Sequence, residues 1–161
     1  MQPNFSEAIA SRYLAKYQAQ HTYNGQEKKL VITGTTTGMG RVLTQMALEY
    51  GMQVIMLNRP SQRVKMLMDA LPKGANVHAI DCDLASFESV KKASDAVLSA
   101  TGGCVDVLMN NAGIMALRKQ ATIDGYERQI QVNHFSHFLL LLIQHLQNYF
   151  YQCLQEPLKM N

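Results

Sequence analysis

The chain has 161 residues, 47% of them apolar and 17% charged, with a formal net charge of +3. That length holds one hydrophobic core, so a single main domain is expected. The scattered Lys and Arg form no basic stretch that would suit nucleic acid or an anionic membrane.

Residues 1–27 form a polar extension in which Ile9, Tyr13 and Tyr17 recur at a spacing of four, the pattern of a short amphipathic helix over Ser6 to Gln20. Asn24-Gly25 then reads as a turn. No basic start followed by an apolar stretch is present, so no secretory signal is read. The main domain is expected over 28–161. Leu30-Val31-Ile32 is a short buried strand. Val42, Leu43, Met46, Ala47 and Tyr50 share a helical face that Gly51 can terminate.

Val54 to Leu57 is the second strand, and Val64, Leu67, Met68 and Leu71 repeat at helical spacing until Pro72 ends the run. Val77 to Ile80 is the third strand. Ser86 can cap a helix with Val90, Ala93 and Val97 on its apolar face, and Val105 to Met109 is the fourth strand. Asp124-Gly125-Tyr126-Glu127 has the layout of a capping box, with Glu127 reaching back to the Asp124 amide. One long helix is expected after it, over about 125–151. The Phe138 to Ile143 run inside it covers under about a third of a bilayer core, so it is no transmembrane span.

Alternating strands and helices predict an α/β fold, a Rossmann-like, doubly wound parallel sheet. Right-handed crossovers give the strand order 3-2-1-4 and place a crevice between strands 1 and 4.

The first strand runs into Thr33-Gly34-Thr35-Thr36-Thr37-Gly38-Met39-Gly40. Gly34 allows a tight turn, and Gly38 and Gly40 let backbone approach a pyrophosphate without an intervening Cβ. A helix starting near Met39 aims its N-terminal N–H groups at the same place. Gly34, Thr36, Thr37, Gly38, Met39 and Gly40 are therefore the candidate phosphate contacts. At the end of the second strand stand Asn58 and Arg59, an amide and a guanidinium where an NAD site usually has a carboxylate for the ribose 2′-OH. That pair suits a 2′-phosphate and favours NADP (NADPH) over NAD. Asp83 can hydrogen-bond an adenine amino group or cap a turn. Asn110-Asn111-Ala112-Gly113 closes the fourth strand on the lip of the crevice; its small residues leave room for cofactor, its amides can tie strands together, and a plain Asn-rich turn reads the same way.

His134 and His137 lie one helical turn apart, but no Cys or carboxylate supports them as metal ligands, so packing roles and no metal are expected. Cys82, Cys104 and Cys153 lack paired spacing and are odd in number, which points to reduced, buried thiols and a cytoplasmic setting.

In series, the glycine loop, Asp83-Leu84, Asn110-Asn111-Ala112-Gly113 and Val132-Asn133-His134-Phe135-Ser136-His137-Phe138-Leu139 resemble the short-chain dehydrogenase/reductase family over about residues 29–142. The Asp-Gly-Tyr-Glu and Val-Asn-His segments look like its retinol dehydrogenase-like and protochlorophyllide reductase-like branch. The resemblance implies an NADP-dependent oxidoreductase moving hydride between nicotinamide C4 and an alcohol/carbonyl pair, with Leu84 beside Asp83 at the cofactor. It also implies an Asn-Ser-Tyr-Lys catalytic tetrad, of which Asn133 matches the Asn. No tyrosine of this sequence has a lysine four residues later. Tyr13 and Lys16 have the wrong spacing and precede the first strand.

The chain is thus expected to carry the cofactor-binding portion and to lack the Ser and the Tyr-x-x-x-Lys pair. The later strands would be missing, strand 4 would become an open edge, and the long helix would want a covering partner, a homo- or hetero-oligomer through 125–151. The alternatives are a non-catalytic NADP-binding or subunit-pairing protein, and a degenerate fragment.

Overall fold

The computed structural model describes residues 24–116 and 120–144. The expected N-terminal helix over Ser6 to Gln20, and the end of the long helix, lie outside them. Four apolar runs become strands: β1 (Lys29–Thr33), β2 (Gln53–Asn58), β3 (Val77–Asp81) and β4 (Val107–Met109). They are parallel and ordered β3-β2-β1-β4, as the alternation predicts. Leu30 pairs with both Val54 and Val107, and Val54 with Val77.

Between the strands run α1 (Gly38–Glu49), α2 (Gln62–Ala70) and α3 (Phe87–Thr101). Because successive strand side chains point to opposite faces, β1 and β2 feed two separate cores. Val31, Ile55 and Leu57 pack with Val90, Ala93 and Val97 of α3 and with Val132 and Leu140. Leu30, Ile32, Val54 and Met56 pack on the other face with Ala47 of α1 and Leu67 of α2. The central strands therefore read as unbroken apolar runs, being covered on both sides.

Local signals set the helix ends. Ser86 Oγ accepts from the Ser89 N–H and starts α3, and Gly102, at φ +63°, ends it in the left-handed conformation that closes a helix at least cost. Gly51, at φ +80°, follows α1 in the same way.

Three expectations are corrected. The fourth strand is shorter than Val105 to Met109: it begins at Val107, because Asp106 before it meets β1 through its carboxylate, which accepts from Lys28 Nζ and Lys29 N–H in place of a regular backbone ladder. The capping box does not form. Glu127 is itself the cap, its carboxylate accepting from Gln129 and Ile130 N–H, while Asp124 accepts from Phe87 N–H and Gln131 Nε2. And the long helix, α4, is not uniform: it opens at Arg128–Ile130, widens into a π turn at Gln131–Phe135 and returns to α geometry over 136–144. Gln131 is fully buried in that turn, held by Asp124 and by the Thr122 hydroxyl.

Among the described residues, no helix is long and apolar enough to cross a membrane. Ile55 has no exposure and lies in the middle of the second strand. Ile55→Ala is expected to cost about 2–5 kcal/mol, seen as a lower urea midpoint at unchanged m-value.

Candidate functional site

Every strand of a parallel sheet delivers its following loop to the same edge. Here the loops after β1, β2, β3 and β4 enclose a cleft of about 1180 Å3. It is lined by Gly34, Thr36, Thr37, Met39 and Gly40 from the first loop, Asn58 and Arg59 from the second, Asp83 and Leu84 from the third, and Ala112 and Gly113 from the fourth. These eleven come from four separate segments of the sequence reading. Gly38, Asn110 and Asn133 are not in the lining.

The glycine loop is built by contact. Gly34 leaves β1 at φ +71°, and a Cβ there would stand 2.9 Å from Ala112 Cα. A Cβ on Gly40 would collide with the Gly34 carbonyl and the Asn111 amide. The start of α1 is thus seated directly on the exit of β1, where no larger residue fits. Thr37 is extended and makes no side-chain bond to the first turn of α1. A helix start of this kind, facing a cleft, offers backbone N–H groups and partial positive charge to an anion.

At the second loop the two candidate residues separate. Asn58 is buried, and its amide is committed at both ends: Oδ1 accepts from Thr35 N–H at 2.8 Å and Nδ2 donates to Thr35 Oγ1 at 2.8 Å. Arg59 next to it is exposed on the cleft wall, joined by Arg63. The sequence reading had not singled out Arg63, though its spacing of four from Arg59 was visible.

In the third loop Asp83 makes the turn: Oδ1 accepts from Ala85 N–H at 2.9 Å, while its own N–H donates to Ser89 Oγ. Cys82 beside it is buried, and burial together with the Asp83 carboxylate pushes its thiol up to about 12. Cys104 is exposed, which corrects the expectation of buried thiols throughout; it follows the Gly102-Gly103 turn and not a strand.

At the fourth loop Asn111 is the tie. Its Nδ2 donates to the carbonyls of Thr33 (2.8 Å) and Gly34 (3.0 Å), and its N–H to Thr33 Oγ1. Asn110 is exposed, since adjacent residues leaving a strand point opposite ways. Asn133, in the π turn, pairs with Ile114 like a strand partner: Oδ1 accepts from its N–H at 2.8 Å and Nδ2 donates to its carbonyl at 2.7 Å. His134 stacks on Phe138, and His137 is buried against Thr33.

Two glycines of one loop should respond differently. At Gly38 an added methyl meets nothing within 4 Å, so Gly38→Ala is expected to cost only the left-handed backbone, about 1–2 kcal/mol. Gly40→Ala must move backbone and should lower the melting temperature by clearly more. The thiols are ordered too: at mildly alkaline pH, iodoacetamide should modify Cys104 long before Cys82, as peptide mapping would record.

A family model described as short chain dehydrogenase matches residues 28–150. Human retinol dehydrogenase 13 is 31% identical over 116 residues, which cover 70% of this chain and 35% of that protein. The crystal structure of a protein from Mycobacterium paratuberculosis superposes with a TM-score of 0.71 at 32% identity, covering 80% of this chain and 46% of the other. A blue fluorescent protein from a metagenomic library, crystallised with NADPH, gives 0.61 at 26% identity, with 78% and 52% covered. The chain spans about a third of the length of the curated relatives it matches, 34% for the first of them. From its sheet order, its glycine loop and a family match across most of its length, the chain belongs to the short-chain dehydrogenase family and is similar to its retinol dehydrogenase-like members.

Proposed function

We propose that this chain is the cofactor-binding part of an NADP(H)-linked oxidoreductase acting on an alcohol/carbonyl pair. The observation that carries the reading is the second loop. Asn58 is locked into the fold by Thr35, which leaves Arg59 as the side chain presented to the cleft where a 2′-hydroxyl acceptor would otherwise stand. A guanidinium there favours a 2′-phosphate and gives a bare ribose diol nothing to donate to.

The glycine cradle supports the same group. The space at Gly34, Thr36, Thr37, Met39 and Gly40, with the start of α1 behind it, suits a pyrophosphate. Gly38 contributes by setting the helix start. Asp83 and Leu84 would flank the adenine, and Asn110, Ala112 and Gly113 the nicotinamide-side ribose. The dinucleotide, when bound, supplies or takes the hydride. Asn133 would act as a supporting residue behind the nicotinamide end, through the loop it holds at Ile114. A lipophilic alcohol is the favoured substrate class, by analogy with the retinol dehydrogenase relative.

By itself the chain binds and does not turn over, because general acid–base work on the substrate oxygen needs a positioned group of suitable pKa and no Tyr-x-x-x-Lys pair occurs in the sequence. A second reading, a subunit-pairing protein, is favoured by one observation: Phe138, Leu141 and Leu142 of α4 are 53%, 48% and 41% exposed.

Titrations of the chain with NADPH and NADH, followed by nucleotide fluorescence, separate the readings. Saturable binding of NADPH in preference to NADH is expected. Arg59→Ala should weaken NADPH by about tenfold to a hundredfold, the worth of a charged hydrogen bond, and leave NADH nearly unchanged. Equal loss for both nucleotides would remove the 2′-phosphate assignment, and no binding of either would leave the pairing reading.

A further inference from the structure

Thr33 ends β1, and its hydroxyl oxygen takes two backbone donors, Ala112 N–H at 2.9 Å and Asn111 N–H at 3.0 Å, the second shared with the Met109 carbonyl at 3.0 Å. A hydroxyl has two acceptor positions and one proton. With both positions used, its third partner, His137 Nε2 at 3.0 Å, has to receive the Thr33 proton. The His137 ring must then carry its own proton on Nδ1, which faces the Asn133 carbonyl at 3.3 Å and donates to it. His137 is 6% exposed; its Nε2 contact to Thr33 is buried and its Nδ1 contact to Asn133 is partly buried.

We propose that His137 is a positioning residue for the cofactor cleft: as a neutral, Nδ1-protonated imidazole it aims the Thr33 hydroxyl that holds the Asn111–Ala112 lip, and protonation of the ring releases that lip. The effect on cofactor rests on the dinucleotide reading above; the lock itself does not. An imidazolium would present an Nε2–H to an oxygen whose acceptor positions are filled; Asn111 N–H keeps the Met109 carbonyl at 3.0 Å, so Ala112 N–H is the donor that loses its acceptor.

Among the described residues, few ionisable groups stand on the elements packed around this ring. In the sequence, β1 carries Lys29 at its far end, residues 109–116 carry no ionisable side chain, and α4 contributes Arg128 and His134. Beyond β3 stand Cys82 and Asp83, near the Leu84 carbonyl to which Ser136 donates. None of these acts on the ring's pKa, which burial holds below the ordinary histidine value against the pull of the Asn133 carbonyl. The sign follows. A depressed pKa in the fold means the lock is fully present above the ordinary value and is lost as pH falls through the ring's own lower one.

The test begins with ring 15N spectra of the full chain at about pH 7.5, well above the ordinary histidine pKa of about 6.5. A protonated Nδ1 and a bare Nε2 on His137 are expected; the opposite tautomer overturns the proposal. Amide exchange then reads the lip. Protection of Ala112, corrected for intrinsic rates, should fall about tenfold as pH is lowered from about 7.5 through the ring's own transition, located by the same 15N signals; that is the scale of one net hydrogen bond. In His137→Gln, which offers an acceptor and donors but does not titrate, it should stay level, and matching profiles in the two proteins overturn the coupling. If the variant fails to fold, the wild-type tautomer and amide profile decide alone.

NADPH affinity over the same range supplies the functional arm, weakening in the wild type and not in the variant. The cofactor's 2′-phosphate titrates near about pH 6 but is common to both proteins, so their difference isolates the ring. Failure of NADPH to bind at any pH counts against the dinucleotide reading, while the tautomer and the amides still judge the lock.

Discussion

The close seating of α1 on the exit of β1 is the constraint on which the site depends. Gly40 allows the helix start to meet the Gly34 carbonyl and the Asn111 amide with no side chain between them, and Gly34 turns at positive φ against Ala112. Two segments far apart in sequence, the glycine loop and residues 111–112, are thereby brought into contact. The hydrogen bonds from Asn111 Nδ2 to the carbonyls of Thr33 and Gly34 hold them there, satisfying acceptors that a strand end would otherwise leave open. The cleft is the space left beside this junction, so its floor at the glycine loop is set by backbone, while side chains such as Met39 and Arg59 line its walls.

Polar groups around that junction form closed pairs, buried at Asn58 and exposed at Asn133. Asn58 and Thr35 use each other's donors and acceptors, and Asn133 does the same with the Ile114 backbone. Such groups are costly when buried and unpaired, and here each fixes one loop at the rim. The same economy holds in the π turn, where the fully buried Gln131 amide is shared between Asp124 and Thr122. A widened turn of this kind re-aims the side chains after it, and it is the turn that carries Asn133.

Much of this was legible in the sequence, and for specific reasons. The doubly covered strands show as apolar runs, and glycine spacing after the first of them reports a backbone approach that no other residue permits. The strand order follows from handedness. What was hidden depended on direction at a single residue. Asn110 and Asn111 are chemically identical, and the choice between them is made by the pleat at the end of β4. Asn58 and Arg59 looked like one motif but point to different places, inward to Thr35 and outward to the cleft. Glu127 took the cap that its position relative to Asp124 seemed to assign elsewhere, because Asp124 was already engaged by Phe87 and Gln131. His137 had a visible sign, four residues after Asn133, but its partner Thr33 lies more than a hundred residues away.

The Asn58–Thr35 pair separates two tasks that a sequence motif runs together. The residue that secures the loop is distinct from its neighbour that meets solvent, so the exposed position can vary without unfastening the loop from the sheet. Selectivity at this rim is therefore evolvable independently of foldability: a replacement at Arg59 changes what the cleft attracts, whereas one at Asn58 puts the loop itself at stake.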